Sequence, residues 1–260
     1  MDQVEGIWLY GHSQPRACDP VFKAWREAGK LTPSLVWQRI GLAMAARETG
    51  LARYLGRYLG AGDKKVLALW LEIDNRPHRI TDADRFSEPH PYREQILVHG
   101  VQRLARKQPE KADTAWNTVS RRYHFDNDQQ YQADRAIALG YLRAPGSDLL
   151  ELLDRIEPRE SDKYLIETRI RAALSRQDWK MAEKWISALP RELADSERWR
   201  YWRARALEGS GDQEKAQAIL EELAGERGYY GFLAADRTGR PYHLLHQPLE
   251  VSLYRVGHLS

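Results

Sequence analysis

"YLIETRIRAALSRQDWKMAEKWISALPRELADSERWRYWRARALEGSGDQEKAQAILEELA", residues 164–224, decides the fold. In its first segment Ile166, Ile170, Ala173 and Leu174 stand at i, i+4, i+7 and i+8, which places four apolar side chains on one stripe of a helix. After Gln177-Asp178, the residues Ala182, Trp185, Ile186 and Leu189 form a second stripe at i, i+3, i+4 and i+7. After Gly211-Asp212, the residues Ala216, Ile219, Leu220 and Leu223 repeat that pattern about 34 residues later. Asp178 and Asp212 obey the same shift and read as helix caps, because a short carboxylate accepts a bond from an otherwise unpaired amide of the first turn. Ala172 with Ala206, and Ala173 with Leu207, keep the shift as well.

A helix pair that repeats near 34 residues has the period of tetratricopeptide-like solenoids. One hairpin cannot bury its own stripe, so neighbours stack and share a core. The expected fold class is therefore all-α, a superhelix of stacked helical hairpins with degenerate repeats; an irregular all-α bundle is the alternative. Looser echoes run upstream, with helix breaks at Gly50, Arg76-Pro77, Gln108-Pro109 and Pro145-Gly146. Asp19-Pro20 and Thr32-Pro33 each set a capping side chain before a proline that has no amide to leave unpaired. Gly29 and Gly50 are expected as left-handed helix stops, Ser161 as the cap of a helix starting near Asp162, and Gly209-Ser210-Gly211 as a turn. No alternating apolar run flanked by turn residues predicts a strand.

Composition bounds the function. The chain has 260 residues, 42% hydrophobic and 30% charged, enough for a sizeable core. Its net charge of +3 is spread among interleaved acids, so no basic block argues for nucleic acid. No apolar run approaches the roughly 18 to 20 residues of a membrane span. Met1-Asp2-Gln3-Val4-Glu5 does not read as a signal peptide. One cysteine, Cys18, excludes an internal disulfide.

Motifs for chemistry are sparse. No His-Glu-x-x-His, Walker loop, dinucleotide fingerprint or nucleophile elbow occurs, and no metal or cofactor is expected. His243, His246 and His258 read as stray histidines of a polar tail, and the pairs Glu221-Glu222, Asp82 with Asp84, and Glu157 with Glu160 as solvated carboxylates. Nine tryptophans are many for this length. Trp199, Trp202 and Ala206 share a helical face, which reads first as core. Arg198, Arg200, Arg203 and Arg205 surround them, and together these six side chains, without Ala206, are the candidate rim for a sugar polymer or an acidic peptide.

Two stretches carry a resemblance. "GHSQPRACDPVFKAWREAGKLTP", residues 11–33, and "DSERWRYWRARALEGSGDQEKAQAILEELAGERGYYGFLAADRTGRPY", residues 195–242, resemble segments of the bacterial soluble lytic murein transglycosylases, in order and at the expected separation. The resemblance implies a periplasmic, peptidoglycan-cleaving parent, built as a superhelical array, a linker domain and a lysozyme-like catalytic domain. Such enzymes break the MurNAc–GlcNAc β-1,4 bond without water, one glutamic acid serving as acid and then base, and release 1,6-anhydromuropeptides. The family's catalytic mark, Glu-Ser followed by Gly-Leu-Met-Gln, is missing: Glu160-Ser161 is the only Glu-Ser here, and it has no such sequel. Residues 1–225 are then expected as part of the superhelical array and 226–260 as the start of the linker domain, with no catalytic residue. The expected partners are glycan strands, through the parent enzyme, and cell-wall proteins; a tetratricopeptide-like protein-binding scaffold is the other reading.

Overall fold

Every regular element among the described residues, 3–143 and 149–244 of the computed structural model, is helical. The break expected at Pro145-Gly146, together with His246 and His258, lies outside these residues. The chain divides into two units, Met1–Leu149 and Leu150–Ser260. The first holds α1 (Gln3–Trp8), α2 (Asp19–Glu27), α3 (Pro33–Ala45), α4 (Thr49–Leu55), α5 (Ala61–Asn75), α6 (Arg93–Ala105), α7 (Pro109–Val119) and α8 (Asn127–Tyr141). Then come α9 (Leu149–Asp154), α10 (Lys163–Ser175), α11 (Trp179–Ser187), α12 (Arg191–Ala194), α13 (Glu197–Ser210), α14 (Gln213–Leu223) and α15 (Tyr229–Thr238).

In the second unit the quoted stripes become the core. Ile166, Ile170 and Ala173 of α10, Ala182, Trp185 and Ile186 of α11, and Ala216, Leu220 and Leu223 of α14 are all buried. Each such aliphatic side chain contributes about 1.5–3 kcal/mol by leaving water. α10 packs on α11, α11 on α13, α13 on α14 and α14 on α15. Neighbour-to-neighbour burial of this kind is the stacked-hairpin, all-α class that the 34-residue period predicts. In α15, Ala234 and Ala235 are fully buried against Tyr201, Leu220 and Leu223, with Leu233 packed beside them. Phe232 turns instead to the ring of Tyr242, 5.2 Å away.

The repeating caps form as the sequence expects. Asp178 accepts from the Met181 amide at 3.0 Å and Asp212 from the Lys215 amide at 3.3 Å. Thr32 caps α3 through the Leu35 amide at 3.3 Å. Two expected caps shift by one residue. Asp162, not Ser161, caps α10 by accepting from the Leu165 amide at 3.2 Å. Cys18 precedes α2 because the 3-10 turn Arg16–Cys18 runs straight into it, which makes Asp19 the first helical residue.

Stops depart further from expectation. Gly29, Gly211 and Gly239 do adopt left-handed backbone. Gly50 lies inside α4, and the stop after α3 is Arg47, at φ 67°. Gln177, at φ 57°, ends α10 in the same way. Gly228 precedes α15 as its N-cap.

Tryptophan supplies much of the core. Trp8, Trp25, Trp37, Trp70, Trp116, Trp185 and Trp199 are buried. Three of them donate the indole N–H to an aspartate: Trp37 to Asp63 at 3.3 Å, Trp116 to Asp134 at 2.9 Å, and Trp185 to Asp154 at 3.1 Å. Each bond satisfies a buried indole, so these aspartates belong to the packing of the helices. Across α5 and α6, buried His99 and buried Asp74 are joined at 2.9 Å, with Arg103 Nε also 2.9 Å from the same carboxylate oxygen.

Candidate functional site

The six residues of the predicted rim lie on α13, a helix packed against α11, α14 and α15. That packing decides their roles. Trp199 is only 2% exposed and is a core residue, so it cannot offer its ring to a ligand. Trp202 is half-buried, edge-on to Tyr201 at 5.7 Å. The arginines leave the helix in different directions and each ends on a carboxylate. Arg198 meets Glu167 at 2.8 Å, Arg200 meets Glu226 and Glu222, Arg203 lies 4.0 Å from Glu183, and Arg205 lies 2.9 Å from Glu208. The stretch that reads as a cationic rim in sequence thus carries locally neutralised pairs, of which those of Arg198, Arg200 and Arg203 reach beyond α13 and that of Arg205 stays within it.

The dipeptide Glu160-Ser161 sits in an exposed turn ahead of α10. Three of the paired carboxylates find cations: Asp82 holds Arg85 at 3.1 Å, Glu221 holds Arg240 at 2.8 Å, and Glu222 holds Arg200 at 3.0 Å. Among the described residues no group of three or more His, Cys, Asp or Glu could hold a metal ion. No described helix is long and apolar enough to cross a membrane.

Two clefts open in the first unit. The larger, about 780 Å³, is lined by α5 and α6 and the segment before α6. Its arginines and Glu72 are paired. Glu72 takes both Arg79 and Arg85, the latter at 2.6 Å, Arg93 takes Glu94 at 2.6 Å, and His90 meets Asp63 at 3.2 Å. No arginine of this cleft is left without a carboxylate.

The second cleft, about 580 Å³, is different. It lies among α2, α3, α4 and the turn Gly56–Tyr58, and Arg39 of α3 contributes to its lining. Arg39 is the only charged residue of α3 and is 4% exposed. Its guanidinium lies 4.3 Å from the Trp8 ring and 5.6 Å from the Phe22 ring. Nη2 donates to the His12 carbonyl at 3.4 Å, while Nε has no partner. Among the described residues no carboxylate lies within 4.0 Å of it. Burial pushes the guanidinium below its ordinary pKa, as expected for a cation removed from water without a counter-charge.

The walls and mouth add to this. Tyr54 and Tyr58 line the cleft, their rings 6.3 Å apart. Burial and a hydrogen bond with Tyr54 push the Tyr58 phenol up, so it is neutral at physiological pH and supplies no negative charge. Arg26 donates to the Tyr58 hydroxyl at 3.0 Å, and Arg57 lies 4.6 Å from the Tyr54 ring. Arg16 and Lys23 complete the mouth, against one lining acid, Asp19. The cleft is therefore aromatic and strongly cationic, with a buried guanidinium in its lining. It was not legible in the sequence, although a lone arginine in the apolar helix "PSLVWQRIGLAMA" was the signal that marked it.

Comparison with known proteins places these features. A family model described as cucumovirus coat protein matches residues 1–72, less than a third of the chain, and carries no assignment. The chain is similar to the soluble lytic murein transglycosylase of Escherichia coli strain K12, 31% identical over 242 residues that make up 92% of this chain and 37% of that protein. The Salmonella typhimurium protein of the same name is 32% identical over 245 residues, 93% of this chain and 38% of that one. Among solved structures, an inactive mutant of the lytic transglycosylase Slt from Pseudomonas aeruginosa superposes with a TM-score of 0.83 at 35% identity, over 97% of this chain and 41% of that one. The 70-kDa soluble lytic transglycosylase in complex with bulgecin A superposes with a TM-score of 0.76 at 29% identity, over 96% and 41%. The chain thus spans well under half the length of the relatives it matches.

Proposed function

Because this chain is kin to the soluble lytic murein transglycosylase family across nine-tenths of its own length, we propose that it is a helical scaffold of a peptidoglycan lytic transglycosylase, acting in the periplasm. Residues 1–225 form the hairpin array in this reading and residues 226–260 begin the linker domain. The parent enzyme would cleave the MurNAc–GlcNAc β-1,4 bond and release 1,6-anhydromuropeptides. Residues 1–260 would engage glycan strands without cutting them, and cell-wall proteins would be further partners of the scaffold.

The observation that carries this reading is the fold match at a TM-score of 0.83 and 35% identity along almost the whole chain. Local chemistry agrees with a non-catalytic role. The only Glu-Ser is exposed in a turn, and the α13 arginines are occupied by carboxylates. General acid catalysis on a glycosidic oxygen needs a carboxyl positioned in a poorly solvated cleft. Incubating the purified chain with sacculi and separating the soluble products tests the point. No anhydromuropeptide above the protein-free control is expected; release that scales with added chain would overturn the non-catalytic reading.

A further inference from the structure

We propose that the Arg39 cleft is a carboxylate-binding site, and that it is where this scaffold holds the acidic groups of a peptidoglycan strand; the second half of the statement rests on the function proposed above. A buried guanidinium without a counter-ion is costly, and an apolar residue of similar volume would pack at least as well. Arg39 has one weak carbonyl contact, an unpartnered Nε, and aromatic rings where a carboxylate would be expected.

The missing partner is an anion, and the surroundings define it. Arg16, Lys23, Arg26 and Arg57 line the same cleft, against Asp19 alone. Lys23 also reaches Glu27 at 3.9 Å, but both side chains are largely exposed and screened. The Tyr58 phenol, pushed up by burial, supplies no negative charge. A guanidinium presents a planar fork of donors that matches a carboxylate in two parallel bonds. Phe22, Tyr54 and Tyr58 supply flat apolar surface for the saccharide or aliphatic part that carries the carboxylate. In the larger cleft of the same unit the arginines are already neutralised by Glu72 and Glu94, so the two clefts differ in unsatisfied charge and not merely in size.

Titration calorimetry on the purified chain tests this with two probes, a muramoyl dipeptide bearing free carboxylates and the same compound fully amidated. The free acid is expected to bind at least about tenfold more tightly than the amide, and Arg57→Ala to weaken it several-fold with Tm unchanged. Arg39→Met conserves volume and removes the buried charge, so it is expected to hold or raise Tm while abolishing binding of the acid. Equal affinity for acid and amide, undiminished binding by Arg39→Met, or no binding of the acid at all overturns the site. Tighter binding of inorganic phosphate than of the acid overturns its assignment to carboxylate. Retention of the chain on sacculi is scored separately: wild-type retention with an inert Arg39→Met leaves peptidoglycan contact standing and refutes only this cleft.

Discussion

The indole of Trp179 lies directly on the backbone of Gly209: a Cβ built on that glycine would stand 2.2 Å from the indole Cγ. Trp179 is the first residue of α11, and Gly209 belongs to the last turn of α13. The contact joins two neighbouring hairpins through a position where no side chain fits.

Gly209→Ala is therefore expected to destabilise the second unit by about 1–3 kcal/mol, the usual cost of overpacking. In an isolated helix the same change stabilises by roughly 0.5–1 kcal/mol. In a Trp179→Ala background, where the obstruction is gone, Gly209→Ala should become neutral or stabilising. Urea melts of the four proteins read the coupling; additive effects would show that the contact is not formed.

Asp74, joined to His99 at 2.9 Å, sets a pH limb. The His99 hydrogen bond and then the Arg103 charge hold the Asp74 carboxyl below its ordinary value, against the opposing effect of burial. A carboxylate depressed in the folded state stabilises at pH values above the unfolded pKa of about 3.9, and that stability is lost as pH falls through the folded value. Asp74→Asn is expected to cost about 1–3 kcal/mol at pH 7, because it leaves buried His99 and half-buried Arg103 without their carboxylate. The difference from the native chain should shrink steadily below pH 4. A difference that stays constant down to pH 2 would remove Asp74 from the acid limb.

Gln177 ends α10 in left-handed backbone and is exposed. A side chain with a Cβ pays about 1–2 kcal/mol there, partly offset because glycine is freer in the unfolded chain. Gln177→Gly should raise stability by about 0.5–1 kcal/mol in urea melts, while Gly211→Ala, at φ 97°, should lower it by a similar amount. Opposite signs would mean the helix ends differently in solution.

What could be read from the sequence was what is local. The stripes at Ile166, Ala182 and Ala216 and the caps at Asp178 and Asp212 depend only on residues within a turn or two. Their repetition announced the hairpins. Stops at Arg47 and Gln177 were not legible, because neither residue type carries the left-handed preference that makes glycine the usual choice. Gly209-Ser210-Gly211 read as a turn because glycine ordinarily punctuates a chain, yet only Gly211 does so; Gly209 is small for Trp179. The ion pairs of the α13 arginines were hidden for a related reason. Charge in a sequence has no partner attached, and the carboxylates that neutralise Arg198 and Arg200 come from α10 and from the end of α14 and just beyond it. The Arg39 cleft needs α1, α2, α3 and α4 together, a meeting that no window of sequence contains.

The central claim is that residues 1–260 are a peptidoglycan-engaging scaffold. Co-sedimentation of the purified chain with sacculi tests it most directly, with bovine serum albumin as the control for trapping. The account predicts saturable retention in the pellet, competed by soluble muropeptides. A chain that stays in the supernatant at every sacculus concentration, while its far-UV spectrum reports intact helices, would contradict it and leave the protein-binding scaffold as the function of this fold.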